Sequence, residues 1–94
     1  MEDVPHVTGS TLVDEHAEKI GTITDVLSDD RTLEPRWAVV SYGFPHKRTL
    51  VPMSELYQSE DGRVVTRLDR SMIRGAPKVH GDVPDPHVYE RYYS

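Results

Sequence analysis

Lys19-Ile20-Gly21-Thr22-Ile23-Thr24-Asp25-Val26-Leu27 is the stretch on which the fold turns. Its apolar residues admit two readings. Ile20, Ile23 and Leu27 are spaced as on one face of a helix, and strict strand alternation is missing. Side-chain chemistry decides between them. Gly21 is costly inside a helix, and Thr22, Ile23 and Thr24 are consecutive β-branched residues that lose rotamer freedom there. The stretch reads as a strand over Ile20–Leu27. Downstream, Trp37 to Tyr42 is nearly all apolar and reads as a strand buried on both faces. Upstream, His6 to Val13 reads as a strand weakened or bulged at Gly9. Arg48 to Val51 is a further strand, which Pro52 ends. Glu55–Ser59 and Arg63–Leu68 flank Asp61-Gly62, a hairpin signal in which both turn positions would take positive φ. Asp69–Pro77 reads as a turn, or a single helical turn ending at Gly75.

Composition supports this reading. The 94 residues include 12 Val and 7 Thr but only 6 Leu, 3 Ile and 3 Ala, a balance that favours pleated sheet. Seven Pro and six Gly supply frequent breaks. The expectation is one small all-β domain, a closed or partly open antiparallel β-barrel of five or six strands, with a short C-terminal helical tail. A chain of this length has little room for an enclosed catalytic core. There is no Cys, hence no disulfide framework and no thiolate zinc site. No apolar run reaches the roughly 18 residues of a membrane span. Met1-Glu2-Asp3 is acidic and no apolar h-region follows it, so neither membrane insertion nor a secretory leader is expected, and the cytoplasm is the default location.

Charge is unevenly placed within the net of −5. Residues 1–34 carry nine acids against Lys19 and Arg31, residues 35–78 eight bases against four acids, and residues 79–94 three acids against Arg91. An acidic chain with a mildly basic middle is a poor match to bare nucleic acid. His6, His16, His46, His80 and His87 are dispersed without metal-ligand spacing, so no metal or other cofactor is expected. A triad assembled from Ser41 or Ser54, His46 and Asp25 or Asp69 has no nucleophile-elbow motif behind it. Asp29-Asp30 and Glu60-Asp61 fall in or beside turns and read as solvated loop charges. The chain is not expected to be an enzyme.

The C-terminal segment differs in kind. Residues 80–86 are rich in Gly and Pro, and Asp85-Pro86 is a helix start with Asp at the N-cap and Pro at the first helical position. Val88 and Tyr92, and Tyr89 and Tyr93, are four apart and would form an apolar stripe. A helix this short is marginal alone, so it docks on its own barrel, docks on a second copy, or frays.

The Lys19–Leu27 stretch, followed by Glu34-Pro35-Arg36-Trp37-Ala38-Val39-Val40, Arg48-Thr49-Leu50-Val51-Pro52 and Ile73-Arg74-Gly75-Ala76-Pro77, resembles in order and spacing the PRC-barrel family. This is the small β-barrel of the photosynthetic reaction-centre H subunit and of the C-terminal part of the ribosome maturation factor RimM. The family pattern often has Gly where this chain has Glu18. The resemblance implies a barrel over residues 1–78, a tail over 79–94, and a binding or assembly role without catalysis. The leading expectation is a protein–protein interaction or assembly domain, self-associating with a dimer favoured. Its partner-binding candidates are Val88, Tyr89, Tyr92 and Tyr93, seated in a groove of a neighbouring barrel. One alternative is an RNA- or ribosome-associated factor using Arg63, Arg67, Arg70 and Arg74, with Tyr42, Phe44 and Tyr57 for stacking. The plainer role for these arginines is pairing with the acidic first third. Another alternative is an accessory to a photosynthetic or redox complex.

Overall fold

A computed structural model describes residues 7–79 and 85–93. The elements in chain order are β1 (Thr11–Val13), β2 (Lys19–Ser28), β3 (Pro35–Tyr42), β4 (Lys47–Pro52), a 3-10 turn (Met53–Glu55), β5 (Leu56–Gln58), β6 (Val64–Thr66), α1 (Arg70–Arg74) and α2 (Pro86–Tyr93). The six strands form one sheet in the order β4-β3-β2-β1-β6-β5, curled into a partly open half-barrel. Four of its five pairings are antiparallel. β1 and β6 run parallel, because the whole β2–β5 excursion separates them and brings the chain back in the same direction.

β2 is a strand throughout, with bulges against β3 between Ile23 and Asp25 and between Leu27 and Ser28. Those bulges account for the missing alternation, which is what left the helical spacing plausible. Gly21 has a steric cause. A Cβ there would lie 2.3 Å from the carbonyl oxygen of Ser41 on β3, so only glycine lets the two strands approach so closely.

β1 is shorter than the expected His6–Val13, whose first residue lies outside the described residues. Gly9 has φ +91 and turns the chain after Val7, where Ser10 N–H donates to the Val7 carbonyl at 2.9 Å. The hairpin between β5 and β6 also differs from expectation. Only Gly62 has positive φ, at +90, and Asp61 does not. Gly62 N–H donates to Ser59 O at 2.9 Å and Ser59 N–H to Arg63 O at 2.8 Å, the three-residue loop that ends in a left-handed residue. The loop between β1 and β2 has the same form, with Ala17 at φ +65 in the corresponding place.

β3 is buried on both faces, as its continuous apolar run requires. Ala38 and Val40 join a barrel core with Val7, Leu12, Ile20, Ile23, Val51, Val64 and Ile73. Trp37 and Val39 face the other way, into a second cluster with Leu50, Ala76 and Tyr89. Beyond α1 the chain crosses the β4 edge: Thr49 Oγ1 donates to Pro77 O at 3.0 Å and Val79 N–H to Arg48 O at 2.8 Å. α2 then covers the outer face. Its start is as read, with Asp85 Oδ1 accepting His87 N–H at 3.1 Å and Pro86 first in the helix. Within the expected tail segment, α2 packs on the expected barrel segment.

Candidate docking surface

The site begins with how α2 lies on β3. Tyr89, Tyr92 and Tyr93 are spaced i, i+3, i+4 and share a helix face. Trp37 meets Tyr89 at 6.2 Å and Tyr93 at 6.3 Å between ring centroids. Each tyrosine hydroxyl donates to a main-chain carbonyl of the barrel: Tyr89 to Pro77 at 2.5 Å, Tyr92 to Met72 at 2.6 Å, Tyr93 to Leu50 at 2.9 Å. Burial raises the pKa of the Tyr89 hydroxyl and pushes that of Tyr93 well above the usual tyrosine range.

This placement is one of the three open to the tail, docking on its own barrel. Tyr89, only 2% exposed, Tyr92 and Tyr93 are docked on their own sheet. Val88 does not share their face; it is 42% exposed on the solvent side of the helix. Tyrosine hydroxyls need acceptors once their rings are buried, and the chain's own edge carbonyls supply them. A tail seated on a neighbouring barrel would have to leave these contacts first.

What the tail creates is a pair of clefts. One, of about 510 Å³, lies between the β2–β3 loop and the start of α2, walled by Leu27, Trp37 and Pro86 and bordered by Asp29, Asp30, Arg31 and His87. The other, of about 340 Å³, lies beside Pro52, Ser54, Leu68 and Tyr93. Arg36, Trp37 and Glu90 line both. Arg36 forms the divide, reaching Asp29 at 3.3 Å and Glu90 at 3.7 Å. Glu90 also faces His87 Nδ1 at 3.4 Å. The Asp29 carboxyl is held below its ordinary pKa by the main-chain N–H groups of Arg31 and Thr32, with Arg36 adding to the effect.

The four arginines weighed for RNA are engaged separately. Arg63 pairs with Asp61 of its own hairpin at 3.2 Å. The Arg67 guanidinium sits 4.7 Å above the centre of the Tyr57 ring, whose hydroxyl donates to Glu15 at 3.1 Å. Arg70 meets Glu18 at 3.8 Å, among the described residues the one direct pairing of the four with the acidic first third. Arg74 lies 5.6 Å from the Tyr42 ring centre and donates to Ile20 O at 3.4 Å. Ser41 and His46 line one small cleft, which Asp25 and Asp69 do not line, and Ser54 lies in a different cleft. His16, His46 and His87 are exposed, and His6 and His80 lie outside the described residues. Among the described residues, no three His, Asp or Glu side chains converge so as to hold a metal ion.

Sequence reasoning gave Arg36 and Glu90 no site role and read Asp29 as a solvated loop charge. Arg36 and Glu90 are far apart in the chain, and only the docking of α2 joins them.

A six-stranded, partly open barrel sealed by its own C-terminal helix, with amphipathic clefts at the seal, defines a small barrel module. The profile of the PRC-barrel domain family matches residues 2–73, and the chain belongs to that family. No curated protein matches the chain. Among the described residues, no helix is long and apolar enough to cross a membrane.

Proposed function

We propose that the chain is a non-catalytic assembly module that binds protein partners at the junction of α2 with β3. The observation that supports this is the shared floor and divide of the two clefts, Trp37 with the Arg36–Glu90 pair. Aromatic residues and arginine beside an apolar wall are the chemistry that protein interfaces favour at their centres. The tail serves this role by forming one wall of each cleft. Its tyrosines act from below, by fixing the helix.

The test is a matched capture from extract of the native cell. Immobilised wild-type chain is compared with Glu90→Lys, which reverses the divide on an exposed helix position. A partner retained by the first and lost from the second supports the reading. Equal retention on both, with circular dichroism unchanged, refutes it.

A further inference from the structure

The two ends of β3 carry complementary surfaces. At its C-terminal end the β3–β4 turn presents Phe44, 94% exposed. Near it lie basic side chains: Lys19 and Arg74 line one cleft with Gly43 and the His46 imidazole, and Lys47 Nζ lies 3.9 Å from the position of a Cβ on Gly43. Lys78 Nζ donates to the Arg74 carbonyl at 3.3 Å. Among the described residues, no carboxylate pairs with Lys19, Lys47, Arg74 or Lys78. At the other end is the cleft of about 510 Å³ walled by Leu27, Trp37 and Pro86. Its three carboxylates outnumber its two arginines, Arg31 and Arg36. Asp29 and Glu90 share Arg36, and Asp30 stands beside them on the rim. Glu34 and Asp85 flank the same end, where Leu33 is 75% exposed.

We infer that Phe44 of one copy seats in the Trp37 cleft of the next, joining copies head to tail. This rests on the assembly reading above and names a second copy of the chain as the partner. The cleft can hold a phenyl ring, and the cationic collar of Phe44 then faces Asp29, Asp30 and Glu90. A chain cannot fill its own cleft. The six residue steps of β3 from Arg36 to Tyr42 separate the two ends by about 20 Å. Knob and cleft are different surfaces, so the contact is heterologous: it propagates into open chains or closes into a ring, and does not stop at a two-fold dimer.

Sedimentation velocity on three forms of the full chain tests this. Wild type is expected to grow beyond dimer with concentration, with association about tenfold weaker at high salt than at low. Phe44→Glu removes the knob, and Asp30→Lys combined with His87→Trp reverses and fills the cleft. Each is expected to stay monomeric. Neither site loses core packing, since the His87 side chain is 83% exposed and Phe44 more so, its ring meeting only that of His46 edge-on at 6.5 Å among the described residues. Mixed, the two variants are expected to form a 1:1 dimer and nothing larger, because each supplies the part the other lacks. Should Phe44→Glu fail to fold by circular dichroism, Lys47→Glu takes its place.

A monomeric wild type, a dimer indifferent to Phe44→Glu, or a mixture that stays monomeric would each overturn the inference. So would a monomer that binds phosphatidylglycerol vesicles through Phe44, which would assign that end to lipid. The capture with Glu90→Lys is read separately: success there beside a monomeric wild type removes the head-to-tail contact and leaves the assembly reading standing.

Discussion

The two apolar clusters on either side of β3 are built from different chemistry. The barrel core is wholly aliphatic, from Val7 through Ile23 and Val40 to Ile73, and every member lies within the residues matched to the family. The outer cluster mixes aliphatic Val39, Leu50 and Ala76 with the aromatic rings of Trp37 and Tyr89, and its Ala76, Tyr89 and the partly buried Tyr92 and Tyr93 lie beyond that match. Aliphatic burial is non-directional and holds the barrel by shape. The outer cluster adds three hydroxyl-to-carbonyl bonds, which are directional. An eight-residue helix has little stability of its own, so these bonds fix where α2 lies and hence where the clefts open. The barrel supplies the fold, and the tail shapes its outer surface.

The change expected to have the largest effect joins both regions. Gly21→Val places a branched side chain against the Ser41 carbonyl, at the crossing of β2 and β3 that both clusters need. Main chain cannot yield as a flexible side chain does, and overpacking of this kind costs about 3 kcal/mol or more. No cooperative unfolding transition is expected by circular dichroism. A normal melt would show that the close approach is not required.

Removing residues 85–94 separates the clusters. The barrel core is untouched, so strand content should persist, while Trp37, Val39 and Leu50 lose their cover. Stability should fall by on the order of 2–4 kcal/mol in urea unfolding, with Trp37 emission shifted to the red. Unchanged emission would mean that the tail does not cover β3.

Alkaline pH should make the same cut without mutation. Burial raises the Tyr89 and Tyr93 hydroxyls above their ordinary value near 10. The unfolded chain therefore loses these protons first. The outer cluster is intact below that value and loses stability as pH rises through it. The barrel core has no titrating side chain. Tyrosinate absorbance and the red shift of Trp37 should appear together, ahead of any loss of strand signal. Tyr89→Phe removes one hydroxyl bond and should cost about 1 kcal/mol at neutral pH.

The barrel was more legible in the sequence than the docking surface. Trp37–Tyr42 declared itself by a run that is apolar but for Ser41, and Asp85-Pro86 marked the start of α2 to the residue. Those are local signals. The parallel pairing of β1 with β6 was illegible because no short-range pattern encodes it. The clefts combine Leu27, Arg36 and Glu90, which meet only after the tail has docked. The stripe was misassigned at Val88 because a four-residue spacing joins it to Tyr92 as readily as Tyr89 to Tyr93. Only the i, i+3, i+4 set of three tyrosines, with the carbonyls awaiting them, selects the buried face.

The smallest expected effects come from the two matched hairpin loops, and there the sign carries the information. Asp14–Glu18 and Ser59–Arg63 close in the same way, with the left-handed position held by Ala17 in one and Gly62 in the other. The positive φ falls on Ala17, one residue before the Glu18 that stands where the family pattern often has Gly. A Cβ on Gly62 would meet nothing within 4 Å, so its replacement is a conformational matter alone. Gly62→Ala should destabilise by about 1 kcal/mol, the cost of a side chain in the left-handed region. Ala17→Gly should stabilise, by about 0.5 kcal/mol. Relief of the same strain is partly offset, because glycine gives the unfolded chain more freedom to lose. Urea unfolding of both variants checks the pair. Equal signs would show that the loops are not equivalent. Opposite signs would show that the loop of the acidic first third carries a strain its counterpart avoids, held in place by Asp14 Oδ1, which accepts the N–H groups of His16 and Glu18 at 2.9 Å each.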